Sequence, residues 1–269
     1  SGAVAQSKVY DANTKATVVF TGASLVGDVE SDDISIDCTG YSAVFADKNV
    51  GKDKPVTVLG VTLSGTDAAN YTVSQPTGLF ADITPLGITG NFTAANKVYD
   101  GNANAIVLSR SLTGVLTDDD VALDGGTAAF ADKNVDTGKT VTLTGATLVG
   151  KQAGNYNLSS VATTTANITP KPVAPAIVAK DKIYDGTTAA TLSSQTVSVL
   201  IGSDVVTLNV GSVTFADKNA GTNKVVTATA LSLGGADAGN YSLSATSATD
   251  TADITASSLT ISGDRKSVV

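Results

Sequence analysis

The sequence has no histidine, tryptophan or methionine, and its only cysteine is Cys38. Without histidine, no Ser/His/Asp or Cys/His nucleophile can be assembled, and a zinc site with imidazole ligands is excluded. One cysteine cannot form a disulfide within the chain or a thiolate cluster. Catalysis would have to depend on carboxylates that recur throughout the chain, and catalytic sites are rarely repeated in that way. We therefore expect no enzymatic activity and no cofactor.

Clusters of positive charge and long apolar runs are also missing. Lys and Arg total 17 against 25 Asp and Glu, so the net charge is -8, and no basic cluster is present to neutralise phosphates. No apolar run reaches the roughly 18 residues that cross a membrane, and no signal peptide is visible. We expect neither nucleic-acid binding nor membrane insertion.

What the sequence does contain is one pattern written three times, about 85 residues apart. The recurring segments are Lys8–Asp11, Lys97–Asp100 and Lys182–Asp185; Phe45–Asn49, Phe130–Asn134 and Phe215–Asn219; and Asn70–Tyr71, Asn155–Tyr156 and Asn240–Tyr241. This period is longer than the roughly 20 to 50 residues of solenoid repeats and matches a small independent domain. A chain of such repeats is expected to supply length or valency rather than chemistry.

Each repeat ends on an Ile-Thr pair, followed by proline in the first two. Proline ends a strand and stiffens a linker, so we predict an extended array with few contacts between repeats. The segment Leu259–Gly263 has the spacing of Leu86–Gly90, which opens the second repeat, and both ends are expected to cut through a longer array. Ser1 and Gly2 are expected to be a remnant of tag removal. The predicted domains are residues 1–85, 86–170 and 171–256, with 257–269 the start of a truncated fourth repeat or a tail.

Short alternating runs rich in Val, Thr, Ser and Gly predict an all-β fold. In Val56–Leu63 the alternation slips by one after Gly60, which indicates a bulge or a bend where the strand changes sheet. A turn before Tyr71, Tyr156 and Tyr241 predicts a tyrosine corner, whose hydroxyl bonds backward to the backbone. Each repeat is therefore predicted to be an immunoglobulin-like β-sandwich.

Taken together, the motifs Lys-[Val/Ile]-Tyr-Asp-Gly, Phe-Ala-Asp-Lys-Asn, Asp-Ala-Gly-Asn-Tyr and Ile-Thr-Pro resemble the YDG-type repeat domain of bacterial filamentous haemagglutinin-like adhesins. The resemblance covers residues 3 to 256. The first repeat departs from it with Ala12 and Ala69 where the motifs have glycine. The resemblance implies tandem arrays, display on the bacterial cell surface and a structural role in adhesion. It supplies no catalytic residues.

Three candidate sites remain open at this stage. Carboxylates at matching places make Asp33, Asp120 and Asp204 candidates for calcium, against the alternative that they cap turns. The residue types of a Lys–Asn isopeptide bond are present as Lys8, Asn70, Lys97, Asn155, Lys182 and Asn240, against the alternative of solvated lysines and turn asparagines. The pairs that start at Tyr10, Tyr99 and Tyr184 could bind sugar, against the alternative of rings packed at the core edge.

The sequence is compatible with two functions. The favoured one is a stalk or spacer of a large secreted adhesin that projects a distal binding region, with neighbouring repeats of the same chain as its partners. The alternative is a repeated low-affinity module that binds host or matrix glycan or protein through avidity.

Overall fold

The structure is a computed structural model that describes residues 2–262, and over these residues the fold is all-β, as predicted. The first repeat contains β1 (Val4–Gln6), β2 (Lys8–Val9), β3 (Thr17–Val19), β4 (Ser35–Asp37), β5 (Ser42–Phe45), β6 (Gly51–Leu59), β7 (Thr62–Ser64) and β8 (Leu79–Thr84). The second contains β9 (Leu86–Ala94), β10 (Lys97–Val98), β11 (Val107–Thr113), β12 (Ala122–Phe130), β13 (Asp136–Val149), β14 (Tyr156–Val161) and β15 (Thr164–Thr169). The third contains β16 (Lys171–Val173), β17 (Pro175–Ala179), β18 (Lys182–Ile183), β19 (Leu192–Val197), β20 (Thr207–Asn209), β21 (Ser212–Phe215), β22 (Gly221–Thr229), β23 (Ser232–Gly234), β24 (Tyr241–Leu243) and β25 (Ala248–Thr255). The helical segments are one-turn 3₁₀ helices at Ala68–Asn70, Ala153–Asn155 and Ala238–Asn240.

The same four-stranded sheet recurs in every repeat. Its strand orders are β2-β8-β6-β5, β10-β15-β13-β12 and β18-β25-β22-β21. In each sheet the short Lys-[Val/Ile] strand pairs in parallel with the strand that closes the repeat, for example Lys8 opposite Ile83. Alternation places Val56 and Val58 on the buried face, as the period of two requires.

The long strand of the first repeat changes sheet where the alternation slips. β6 pairs with β5 and β8, whereas β7 pairs with β4 in a separate sheet. Between them Gly60 has φ +78, and at the corresponding place in the third repeat Ala230 has φ +51. A left-handed residue turns the chain there. The predicted bend between sheets is confirmed.

The described chain divides into two compact units. The first comprises residues up to Ala94, together with Val107–Ala128 and Thr142–Thr164; it holds the first repeat and the β11-β9-β14 sheet of the second. The second comprises Ala95–Ile106, Ala129–Val141 and the residues from Thr165 onward, so it holds the third repeat and β10 of the second, while β12 and β13 are divided between the two units.

Within the first unit, one apolar cluster extends from the first repeat into the second. It includes Phe45, Val58 and Ile83 of the first repeat and Ile88 and Tyr156 of the second. Burying a side chain of this size contributes about 2 kcal/mol. The third repeat has its own clusters in the second unit, around Phe215, Val226 and Ile254 and around Ile177, Leu208 and Ala228.

The opening strand of the second repeat is confirmed, because β9 begins at Leu86. It pairs in parallel with β14 and antiparallel with β11. The proposed opening of a fourth repeat is not in a strand over residues 257–262, and residues 263–269 lie outside the described part of the chain. The three repeats are thus tandem β domains; their immunoglobulin-like topology stays a prediction.

Candidate functional site: the joint between consecutive repeats

An aspartate of the second repeat binds one tyrosine from each of two repeats. The hydroxyl of Tyr10 donates to Asp119 Oδ2 at 2.9 Å, and that of Tyr156 donates to the same oxygen at 2.6 Å. The two rings meet edge to face, with centroids 5.4 Å apart. Both rings are buried. We call this arrangement the joint.

The same joint recurs in the second unit, between the second and third repeats. The hydroxyls of Tyr99 and Tyr241 donate to Asp204 Oδ2 at 2.8 and 2.7 Å. Their ring centroids are 5.5 Å apart, again edge to face. Each contact matches its counterpart in the first unit, so the joint is a regular feature of the repeat.

The strands place the two tyrosines. Tyr10 directly follows β2, and its N–H donates to Thr84 O at 2.8 Å, which extends the parallel pairing with β8. Tyr156 is the first residue of β14, directly after the 3₁₀ turn that ends at Asn155. Its hydroxyl also accepts the N–H of Leu116 at 3.1 Å. The end of one repeat's sheet is thereby fixed to the turn of the next.

The electrostatics of the joint favour an ionised aspartate. Burial raises the pKa of the Asp119 carboxyl, but the hydrogen bonds from Tyr156 and Tyr10 and the charge of Lys48 lower it, and the net pKa lies below its usual value. The Lys48 ammonium is 3.7 Å from Asp119 Oδ1. Burial, together with the bond to Asp119 and its charge, raises the pKa of Tyr10 to about 12. The proton therefore stays on the tyrosine and the charge on the carboxylate.

An asparagine beside the tyrosine makes a second contact across the joint. Asn155 Oδ1 accepts the N–H of Val50 at 2.9 Å, and its amide nitrogen donates to Asn49 Oδ1 at 3.2 Å. In the second unit, Asn240 makes the same two bonds to Val135 and Asn134, also at 2.9 and 3.2 Å. Every buried side-chain nitrogen and oxygen in residues 2–262 has a hydrogen-bond partner, so burial of these amides leaves no unmatched polar group.

The Phe-Ala-Asp-Lys-Asn motif builds the loop that carries these contacts. Asp47 Oδ1 accepts the N–H of Asn49 at 2.8 Å and the ammonium of Lys54 at 2.8 Å, which fixes the turn. Lys48 and Asn49 are thereby held towards the next repeat. Phe45, at the start of the motif, is buried in the core.

The Lys-[Val/Ile]-Tyr-Asp motif is braced in the same way. Lys8 Nζ is 2.7 Å from Asp11 Oδ1 and donates to the backbone oxygens of Asn13 and Lys15 at 2.8 and 2.9 Å. It also lies 5.5 Å from the centroid of the Phe45 ring. Lys97 and Lys182 repeat the ion pair, with Asp100 and Asp185, at 2.8 Å. The Lys-[Val/Ile]-Tyr-Asp, Phe-Ala-Asp-Lys-Asn and Asn-Tyr segments thus all contribute to the joint.

The expectation of few contacts between repeats is therefore wrong. Proline in the linker indicated only that the strands end there, and it carried no information on the side chains that meet beside it. The hydroxyl bonds of Tyr10 and Tyr99 and the amide bonds of Asn155 and Asn240 all cross from one repeat to the next.

Tyr71, Tyr156 and Tyr241, predicted as tyrosine corners, all bond to the backbone and to a carboxylate. Tyr71, for example, accepts the N–H of Val29 at 3.1 Å and donates to Asp32 at 2.6 Å. These partners lie about 40 residues upstream rather than a few. The carboxylate partners, and the second tyrosine in two of the three cases, were not foreseen.

The calcium candidates have two different roles: Asp33 and Asp120 bond to turns, and Asp204 bonds to tyrosines. Asp33 Oδ2 accepts the N–H and the hydroxyl of Thr66 at 3.2 and 3.1 Å, and Asp120 accepts the N–H of Lys151 at 3.4 Å. Asp204 instead corresponds to Asp119 and binds tyrosines. Among the residues that the structure describes, no group of three or more His, Cys, Asp or Glu is arranged to hold a metal ion.

The isopeptide candidates engage separate partners. Lys182 Nζ bonds to Asp185, Thr187 and Ala189, whereas the Asn240 side chain bonds to the preceding repeat. Lys8 has the partners given above, and Asn70 is exposed. The structure thus brings each lysine to its aspartate. The crosslink stays a prediction.

The tyrosine that precedes each Asp in the sugar-binding hypothesis is buried in two of the three repeats. Tyr10 is 2% exposed, Tyr99 is 1% exposed and Tyr184 is 39% exposed. The hydroxyls of the first two are bonded to carboxylates and their rings are covered. Neither can stack on a sugar, so that expectation is wrong for Tyr10 and Tyr99.

Sequence reasoning missed Asp119, Lys48 and Asn49 as joint residues. The signal was present, because Asp119 and Asp204 differ by the same 85 positions as Tyr156 and Tyr241. Asp204 had been grouped with Asp33 and Asp120 because all three precede a strand, and this grouping hid the equivalence of Asp204 and Asp119.

No helix in residues 2–262 is long and apolar enough to span a membrane. The crystal structure of Drosophila N-cadherin EC1-3 is similar at 9% identity and a TM-score of 0.23, covering 94% of this chain and 98% of that one. The I9-I11 tandem of titin is similar at 10% identity and a TM-score of 0.21, with the same coverage. At such low TM-scores neither similarity establishes a shared fold.

No curated protein matches the chain. The YDG domain matches three consecutive segments, residues 1–78, 84–166 and 169–250, which together cover most of the sequence. The chain therefore belongs to the YDG domain family, as three tandem copies.

Proposed function

We propose that these YDG repeats are spacer segments in the stalk of a secreted, filamentous haemagglutinin-like adhesin on the bacterial surface, where they hold a distal binding region away from the cell. The observation that carries the proposal is the joint, built twice from the same residue types. A spacer must transmit force from one repeat to the next, and a joint of buried, charge-assisted hydrogen bonds resists separation better than a bare linker.

The residues of the sequence motifs serve the same role. Lys8, Asp11 and Phe45 brace the turn that presents Tyr10, and Asp47 fixes the loop that presents Asn49. The residues that recur in every repeat thus serve to link one repeat to the next. The spacer role assigns no catalysis and no cofactor to the chain, and its net charge of -8 keeps parallel copies apart.

A glycan and matrix-protein array probed with the 269-residue chain tests the proposal. A spacer shows no selective binding, whereas saturable binding to one class of glycan or protein would replace it with the avidity module. Antibodies against the repeats are expected to label intact, unpermeabilised bacteria. Labelling only after permeabilisation would overturn the surface location.

A further inference from the structure

The third repeat carries the tyrosine half of a joint, and the ring of that tyrosine is partly exposed. Tyr184 N–H donates to Thr255 O at 2.8 Å, the same attachment that positions Tyr10 and Tyr99, yet the Tyr184 ring is 39% exposed. A cavity of about 630 Å³ lies beside it, lined in part by Asn219, Ala220 and Leu259. Lys218 and Asn219 occupy the places that Lys48 and Asn49 hold in the first repeat.

The first repeat carries the opposite half. Tyr71 donates to Asp32 and accepts the N–H of Val29, as Tyr156 does with Asp119 and Leu116. Asp32 receives no hydroxyl from a second tyrosine among the hydrogen bonds of residues 2–262. Asn70 is exposed, whereas the corresponding asparagines at 155 and 240 are buried.

Beside Tyr71 lies a groove of about 720 Å³ that has both polar and apolar lining residues. The apolar part of its lining includes Phe20, Leu25, Val26, Ile36, Val61 and Val73. In the second repeat the corresponding place is filled by β9, which pairs with β14 and buries Ile88 to 2% exposure. In the first repeat β1 corresponds only to the end of β9, and residues 71–77 belong to no strand.

The chain also carries a segment with the pattern of the missing strand. Leu259 and Ile261 stand two positions apart, as Leu86 and Ile88 do, so an extended backbone places both on one face. They are 95% and 96% exposed. Two fully exposed large aliphatic side chains at strand spacing form a surface suited to burial against other apolar side chains.

We propose that copies of this chain associate head to tail, with the third repeat of one copy docked on the first repeat of the next. Residues 257–262 of one copy enter the groove as an added parallel strand beside residues 71–76 of the second. Leu259 and Ile261 face the groove lining.

The polar contacts between the two copies are the same as those in the two joints within the chain. Tyr184 of one copy donates to Asp32 of the second, and the exposed Lys218 approaches the same carboxylate, as Lys48 approaches Asp119 at 3.7 Å. Asn219 meets Asn70. The charges are complementary, and the interface is heterologous because the two surfaces differ. The self-association rests on these two faces and is independent of the stalk function.

Sedimentation velocity of the 269-residue chain tests the proposal, over roughly 10 µM to 1 mM, where weak interfaces populate. We expect the weight-average sedimentation coefficient to rise with concentration. The donor variant Leu259→Asp/Ile261→Asp changes only exposed side chains and is expected to stay monomeric. The matched control Thr260→Asp places its charge on the opposite face of the same segment and is expected to associate.

A mixing experiment identifies the two halves. The acceptor variant Val26→Asp alters a groove residue that is 87% exposed and is expected to be monomeric alone. Donor and acceptor variants mixed one to one retain a single intact interface and are expected to form a dimer and nothing larger. A wild-type chain that stays monomeric throughout, or a donor variant that associates like wild type, overturns the proposal.

Discussion

The hydroxyl of Tyr10 in the first repeat donates a 2.9 Å hydrogen bond to the carboxylate of Asp119 in the second repeat. The two residues are 109 positions apart, and Tyr99 and Asp204 repeat the relationship 105 positions apart. Neighbouring repeats are thus linked through side chains as well as through the linker.

The first consequence is an energetic coupling between Tyr10 and Asp119. A hydrogen bond to a charged group contributes about 1.5 to 3 kcal/mol. In a double-mutant cycle of Tyr10→Phe and Asp119→Ala, measured by urea unfolding, we expect an interaction energy in that range. The cycle of Tyr184→Phe with Asp119→Ala is the control, because Tyr184 lies in the third repeat with its ring 39% exposed. Equal coupling in both cycles would refute the assignment.

The second consequence is acid sensitivity. The pKa of Asp119 is lowered in the folded protein, so its contribution to the free energy of unfolding is fully present above the unfolded-state pKa of about 3.9 and is lost as the pH falls through the folded pKa. Asp119→Asn is expected to be less stable than wild type at pH 7, with the difference shrinking below about pH 4. A difference that stays constant down to pH 2 would contradict this.

The third prediction concerns Ala12, which stands where the other repeats have Gly101 and Gly186. Its φ is +62, against +80 and +81 for the two glycines, so the left-handed turn is kept despite the side chain. That conformation costs a non-glycine residue about 1 to 2 kcal/mol. We expect Ala12→Gly to raise the free energy of unfolding by about 0.5 to 1 kcal/mol, after the entropy lost by glycine is subtracted.

The control for that prediction is the other alanine that replaces a glycine in the first repeat. Ala69 corresponds to Gly154 and Gly239, neither of which has a positive φ. Ala69→Gly is therefore expected to lower stability slightly, through backbone entropy alone. Stabilisation by both substitutions would show that strain at Ala12 is not the cause. Thermal or urea unfolding of both variants measures the difference.

The fourth prediction concerns calcium. The carboxylates of Asp33 and Asp120 already accept backbone N–H groups, and that of Asp204 binds two tyrosines. We expect EDTA to leave the melting temperature unchanged at physiological salt. A decrease of more than a few degrees, restored by Ca²⁺ but not by Mg²⁺, would show that these carboxylates bind calcium.

Much of the fold could be predicted from the sequence because its causes are local. Alternation over Val56–Leu63 predicted the strand, and the slip at Gly60 predicted the change of sheet. The joint depends instead on which side chains meet when two repeats are packed together. A period of about 85 residues shows that Tyr10 and Asp119 recur, and it cannot show that the tyrosine of one repeat reaches the aspartate of the next.

A second difficulty was to decide which of three adjacent aspartates occupies the equivalent position in the second repeat. Asp118, Asp119 and Asp120 are adjacent, and only the direction of the backbone at each decides that Asp119 faces the tyrosines while Asp120 faces the turn at Lys151. Asp118 lies in a turn with φ +72, and Asp119 and Asp120 belong to no strand, so no simple alternation predicts which side chain faces which way. An error of one residue in the alignment therefore exchanged a joint residue for a turn residue.

Hydrogen exchange measured by mass spectrometry on Asp119→Asn tests the central claim most directly. If Asp119 links the two repeats, amides near Tyr10 in the first repeat and near Leu116 and Tyr156 in the second should both exchange faster than in wild type. The control is Asp32→Asn, measured at a concentration where the chain is monomeric. Its hydroxyl partner Tyr71 lies in its own repeat, so the change should be confined to the first repeat. Faster exchange in the second repeat alone after Asp119→Asn would contradict the account.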